Sequence, residues 1–133
     1  MKDREPSVDG KFFNQYDMSN LETIQHVTDA FDNNDIDALL PHLTDDVEWV
    51  MTGDRTVKGK EEMNKMMEDM SQVTLISSTK HHRIMDGDCA VVDGEVMCKT
   101  KDGKIIEMFY CDIYELENGK VKKMIMYTVD KKN

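Results

Sequence analysis

The side chains best placed to do chemistry are three carboxylates, Asp93, Glu95 and Asp112, in two stretches of alternating polarity separated by Asp102-Gly103. If Asp102-Gly103 is a two-residue hairpin turn, counting outward pairs Met97 with Met108, Glu95 with Tyr110 and Asp93 with Asp112 on one sheet face. Two carboxylates at cross-strand distance raise each other's proton affinity, and an apolar wall raises it further. A general acid or base working near neutral pH is made in this way. Asp112 would handle the proton, assisted by Asp93 or Glu95. The competing reading turns these acids to solvent, because the opposite face, with Val92, Val96, Cys98, Phe109, Cys111 and Ile113, is the more apolar.

Around such a proton-handling group the sequence offers an apolar lining. Twelve methionines are many for 133 residues, and Met51, Met63, Met67, Met97 and Met126 all fall in core-type patterns. Methionine adapts to varied apolar shapes, so with Trp49 and Tyr110 as rigid walls these residues would form a soft pocket for a flat, greasy ligand; ordinary core filling accounts for them equally well. His81 and His82 are neighbours in a strand and would point to opposite faces, so they cannot chelate one metal together, and at most one can look into the pocket. His26 and His42 stand alone on helices. No acid or cysteine lies at ligand spacing to them, and we expect neither a metal nor a cofactor. The sequence has no phosphate-binding loop, no G-x-S-x-G elbow and no activated-cysteine constellation.

The elements that must position these groups can be read from periodicity. Residues 1–18 mix charge, Pro6 and Gly10 with Phe12, Phe13 and Tyr16, which predicts an irregular arm that packs down at its aromatic end, and residues 19–130 form a single domain. Ser19 and Glu22 match a capping box, and Leu21, Ile24, Val27 and Phe31 then follow at helical spacing as far as Asn33-Asn34. Asp35 can cap a short second helix, ended early by Pro41. Val47, Trp49 and Met51 mark a first strand. After Gly59, acidic Glu61 and Glu62 open a third helix whose Met63, Met66, Met67 and Met70 face the core. From Gln72 onward the period is two, with runs at about 72–85, 89–100, 104–117 and 120–129 divided by Asp86-Gly87, Asp102-Gly103 and Asn118-Gly119. The order is three helices interleaved with one early strand, then a four-strand meander. In the last strand Met124, Ile125, Met126 and Tyr127 are apolar on both faces, which calls for a cover on each side: helices on one, a second copy of the chain on the other. The expected assembly is a homodimer through the sheet face.

Composition narrows the partners. Twenty-seven acids against 17 bases leave a net charge of −10, which repels a phosphate backbone, so nucleic acid is not an expected partner. No run of about 18 apolar residues is present, and the N-terminus lacks a signal peptide's apolar stretch, so no membrane association is expected. Cys89, Cys98 and Cys111 sit singly in strand-like runs and leave one over in any disulfide scheme, which fits a reducing, cytoplasmic location.

Four segments carry a family likeness: Asp35-Ile-Asp-Ala-Leu-Leu, Asp45-Asp-Val-Glu-Trp49, Val57-Lys-Gly-Lys-Glu-Glu-Met63 and Asp112-Ile-Tyr-Glu-Leu-Glu-Asn-Gly-Lys-Val121. Together they resemble SnoaL-like members of the NTF2-like (cystatin-like α+β barrel) superfamily over about residues 19–130. The resemblance implies a cone-shaped α+β fold, a curved antiparallel sheet wrapped around three N-terminal helices and an apolar pocket. It also implies a range of uses: ketosteroid isomerases, polyketide cyclases, epoxide hydrolases, dehydratases and proteins that only bind or dimerise. Where an isomerase of this superfamily has its proton-shuttling aspartate, this chain has Trp49; its oxyanion-hole tyrosine corresponds to Val27 and a supporting tyrosine to Met67. Only Asp112 matches, at the position whose carboxylic acid stays protonated in such isomerases and donates to an enolate oxygen. The expectation is therefore a small-molecule-binding protein, a cofactor-free isomerase, cyclase or dehydratase acting on an apolar substrate through Asp112, with a non-catalytic ligand-binding or dimerisation module as the alternative.

Overall fold

A computed structural model describes residues 4–6 and 12–132 of the chain. Two short strands, β1 (Arg4–Pro6) and β2 (Phe12–Asn14), pair antiparallel ahead of helix α1 (Gln15–Asp32). The helix thus starts four residues before the Ser19-x-x-Glu22 pattern, because it runs on directly from β2 and needs no cap at Ser19. The packing of Phe12, Phe13 and Tyr16 lies outside the described side chains.

Helix α1 ends in a left-handed turn. The Asn34 N–H donates to the Phe31 carbonyl (3.1 Å) and the Asp35 N–H to the Ala30 carbonyl (2.8 Å), while Asn34 itself adopts φ 49°. This is a Schellman end, with Asn34 in the position that most often holds glycine. Asp35 then caps α2 (Ile36–Leu39), accepting from the Ala38 N–H at 3.1 Å, and Pro41 converts the chain to a single tight turn at Leu40–His42. His42 is not isolated there: its ring stacks on His26 of α1 with centroids 5.0 Å apart. Burial, the adjacent His26 and Lys120 hold the His42 pKa below its ordinary value.

Strand β3 (Leu43–Met51) turns back into β4 (Arg55–Lys58), a short strand that the sequence pattern hides in the polar stretch before Gly59. Helix α3 (Gly59–Met70) buries Met63, Met66 and Met67. Strands β5 (Thr74–Asp86), β6 (Cys89–Lys99), β7 (Ile105–Glu117) and β8 (Lys120–Asp130) form the meander at nearly the expected boundaries. The six-stranded order is β4-β3-β8-β7-β6-β5. β3 runs parallel to β8, so the curved, open sheet is mixed rather than wholly antiparallel. β3 has the next strand, β4, antiparallel on one side and the last strand, β8, on the other, and the long path from β4 through α3 and the meander is what permits that parallel pairing.

The core lies between the helices and the inner face of the sheet: Ile24, Val27 and Ala30 of α1, Leu39, Leu43, Val47 and Trp49, the three α3 methionines, and Val92, Tyr114, Leu116, Val121 and Met124. Two polar contacts fix α1 across the sheet ends. Buried Asn20 donates to the Gly87 carbonyl (3.1 Å) and Asp88 Oδ1 (3.0 Å), and Thr23 donates to the Gly119 carbonyl (2.7 Å). Among the described residues no helix is long and apolar enough to cross a membrane.

Candidate functional site

One residue in one turn decides which carboxylates meet. The chain between β6 and β7 closes through Thr100, whose N–H donates to the Lys104 carbonyl (2.8 Å), while Gly103 N–H returns to the Thr100 carbonyl (2.9 Å) and Gly103 takes φ 89°. That is a three-residue loop with a left-handed glycine, not a two-residue Asp-Gly turn. The register consequently moves by one: Val92 faces Asp112, Asp93 faces Cys111, Gly94 faces Tyr110 and Glu95 faces Phe109. A one-residue slip sends a whole set of side chains to the other face. The expected pairs Asp93 with Asp112, Glu95 with Tyr110 and Met97 with Met108 do not form.

The inner face therefore mixes the polar residues of β7 with the apolar residues of β6. Tyr110, Asp112 and Tyr114 follow one another along β7, and Met126 and Val92 flank Asp112 on the neighbouring strands. With Phe31 and Asp32 of α1, Trp49 of β3, Lys80 of β5, and Cys98, Met108, Met124 and Thr128, they line a cavity of about 520 Å³. Trp49 is 4% exposed and meets Phe31 edge to face, with ring centroids 5.2 Å apart.

Of the sequence-selected residues, Asp112, Trp49, Tyr110 and Met126 line this cavity. Met63 and Met67 are buried in the core beneath α3, and Met51 packs at its margin. Asp93, Glu95 and Met97 lie on the outer face. There His82 Nδ1 meets Asp93 Oδ1 at 2.8 Å, His81 Nε2 meets Glu95 Oε2 at 2.5 Å, and Lys131 pairs with Glu95. Lys131, then His81, holds the Glu95 carboxyl below the usual range. Both histidines face outward because β5 bulges between Lys80 and His82, which breaks the strict alternation expected of neighbours in a strand.

Asp112 is the group in the cavity whose chemistry is changed most by its surroundings. Burial is the chief cause of its pKa rising from 3.8 to about 7; the negative charge of Asp32 adds to the rise, while the Tyr114 hydroxyl and the Lys80 ammonium oppose it. Tyr114, fully enclosed, donates loosely to Asp112 Oδ2 (3.4 Å), whereas Asp112 Oδ1 is buried with no partner among the described residues. Burial also pushes Tyr110 up to about 12 and Tyr114 well above the ordinary phenol value, so both phenols remain hydrogen-bond donors. The carboxyl thus titrates near neutrality with one oxygen tied and the other free.

Three cavity features were hidden in the sequence. Lys80 comes into the inner row Thr128, Tyr110, Gly94, Lys80 only through the pairing of four strands. Its ammonium sits 2.5 Å from Asp32 Oδ2. Gly94 was the available signal: a Cβ there would lie 2.0 Å from the Thr79 carbonyl oxygen and 3.0 Å from the Tyr110 hydroxyl, so the missing side chain makes room for both. Asn34, which ends α1, is the third.

A family defined as the SnoaL-like domain matches residues 24–124. The chain belongs to the SnoaL-like domain family. No curated protein is similar enough in sequence to match it. Among solved structures, an NTF2-like protein of unknown function from Cytophaga hutchinsonii ATCC 33406 is 28% identical, covers 86% of this chain and 99% of its own, and superposes with a TM-score of 0.66. An LEH-like epoxide hydrolase of M. tuberculosis is 16% identical over 84% of each chain, with a TM-score of 0.74. TerC, co-crystallised with polyporic acid, is 20% identical over 84% of this chain and 92% of its own, with a TM-score of 0.72. The last two likenesses establish the SnoaL-like, NTF2-like fold alone.

Proposed function

We propose that the cavity binds a small, mostly apolar organic molecule and that Asp112 acts in it as a neutral carboxylic acid, donating a hydrogen bond or a proton to an oxygen of that molecule. The observation that carries this reading is the buried Asp112 Oδ1, without a partner among the described residues, in a cavity lined mainly by apolar surface. Native structures rarely leave such an atom unsatisfied without a ligand or a chemical role for it. A carboxyl that titrates at about 7 can both give and take a proton in the physiological range, and a placed acid is sufficient for isomerase, cyclase or dehydratase chemistry without a cofactor. TerC, similar in fold, was co-crystallised with polyporic acid, so a small organic ligand is compatible with this fold.

The alternative, a module that binds without turnover, is favoured by Trp49, which fills the strand position where an isomerase of this fold would carry its proton-shuttling aspartate. Trp49 also supplies the test, because it is the chain's only tryptophan and lines the cavity. Quenching of its fluorescence by 2-acetylnaphthalene should report binding whose affinity falls as pH rises through about 7, as Asp112 ionises. Asp112→Asn, which keeps a donor but cannot titrate, should flatten that dependence. A pH-independent wild type would remove Asp112 from the reading. Turnover of enones or epoxides that drops about 10²- to 10⁴-fold in Asp112→Asn would decide for the enzyme.

Self-association is a second part of the proposal. Val50, Ile125, Ile113, Val91 and Ile84 stand in register across five strands on the outer face, with Phe109, Tyr127 and Val129 exposed beside them. A second copy would cover this band. The three free cysteines agree with a reducing, cytoplasmic setting.

A further inference from the structure

The cavity contains a second unsatisfied polar atom. Besides Asp112 Oδ1, the side-chain oxygen of Asn34 is buried and has no partner among the described residues, and Asn34 lines the same cavity. The backbone explains why the residue there is glycine or asparagine: the Schellman end of α1 needs a left-handed φ, here 49°. It does not explain the amide. Glycine meets the same conformational need with no polar side chain, so asparagine adds a buried, unpaired polar group, and leaving such a group unpaired destabilises the fold.

From this juxtaposition we infer that Asn34 is a ligand-binding residue, and that the natural ligand is an apolar molecule carrying two oxygen functions: a carbonyl that accepts from Asp112 and a hydroxyl that pairs with the Asn34 amide. The assignment of the second function rests on the reading of the cavity as a ligand site. A hydroxyl suits this end because it can donate to the amide oxygen or accept from the amide nitrogen, whichever way the amide is turned. A purely hydrocarbon end would leave the Asn34 oxygen unpaired, and a carboxylate would meet Asp32, which lines the cavity close by and already occupies Lys80. The class is therefore the neutral, mostly apolar hydroxy-ketone or its enol.

Two probes separate these ends: 2-acetylnaphthalene and its 6-hydroxy derivative, titrated against the full chain with Trp49 fluorescence as readout. Wild type should bind the hydroxy-ketone at least about tenfold more tightly. Asn34→Gly, which suits the left-handed turn and so folds, should reverse the preference between the two ketones, since a hydroxyl with no partner resists entering the cavity. Asn34→Asp keeps an acceptor and the turn, and should retain most of the preference. An equal preference in wild type and Asn34→Gly, or none in wild type, overturns the assignment of Asn34. The pH dependence of the parent ketone tests Asp112 separately. If it is flat while the hydroxyl preference still follows Asn34, the Asp112 reading falls and this one stands. If neither ketone binds at millimolar concentration, both fall.

Discussion

Asp112 and Asp93 are the same residue type on adjacent strands, yet their situations are opposite. Asp93 lies on the outer face, half-buried and paired with His82, in a row of charged neighbours. Asp112 lies on the inner face between Val92 and Met126, with one oxygen unpaired and a proton held to about pH 7. Strand neighbours, solvent and helix cover, rather than residue identity, turn a carboxyl into a candidate site. The comparison extends to whole faces: the inner one is closed by helices around a cavity, while the outer one alternates ion pairs with an uncovered apolar band.

The largest effect should come from removing the inner carboxylate's charge. A carboxyl held at about 7 in the folded state and 3.8 when unfolded contributes stability that is fully present below pH 4 and is lost as pH rises to about 7, because the folded state is the one that keeps the proton. Asp112→Asn should therefore stabilise the protein at pH 8, by up to about 4 kcal/mol, and hardly at all at pH 4. Asp93→Asn should move the urea midpoint little at either pH. Equal responses of the two variants would dissolve the contrast between the faces.

Next in size is Gly94→Ala. Its methyl group would press on the Thr79 carbonyl, which is backbone and cannot swing away, so a loss of about 1–3 kcal/mol in urea unfolding is expected, together with a shift in Tyr110. An unchanged midpoint would mean that the bulged strand has slack, and that Gly94 does not set the inner row.

The smallest effect on folding, and the sharpest on assembly, is expected on the outer face. Ile84→Lys with Val129→Lys alters two side chains that are 60% and 64% exposed, so stability should change by less than about 1 kcal/mol. Light scattering should fall from twice 15.4 kDa to the single-chain mass. A wild-type mass of one chain would leave the apolar band without this partner.

Much of the architecture was legible along the chain because its signals are local. The change from a helical to a two-residue period falls close to Thr74, the Asp35 cap holds, and Asn118-Gly119 makes the two-residue turn its residues favour, with φ of 52° and 78°. Asp112, Trp49, Tyr110 and Met126 could be selected because acids and aromatics within apolar strands stand out against their neighbours. Asp32, Asn34 and Lys80 could not: each looks like a helix end or a surface strand residue until α1 is laid against the sheet.

Residue types and their spacing determined the three helices, β3 and the four-strand meander, their order and the family, since periodicity, caps and turn residues act within a few positions of the chain; β1, β2 and β4 carried no such signal. The tertiary structure decided which face each carboxylate occupies. That choice turned on one residue in the Thr100–Lys104 loop, and the facing of His81 and His82 on one residue in the β5 bulge. A side-chain alternation of two converts each such single-residue change into a reversal of inside and outside, and only packing against the helices selects the result.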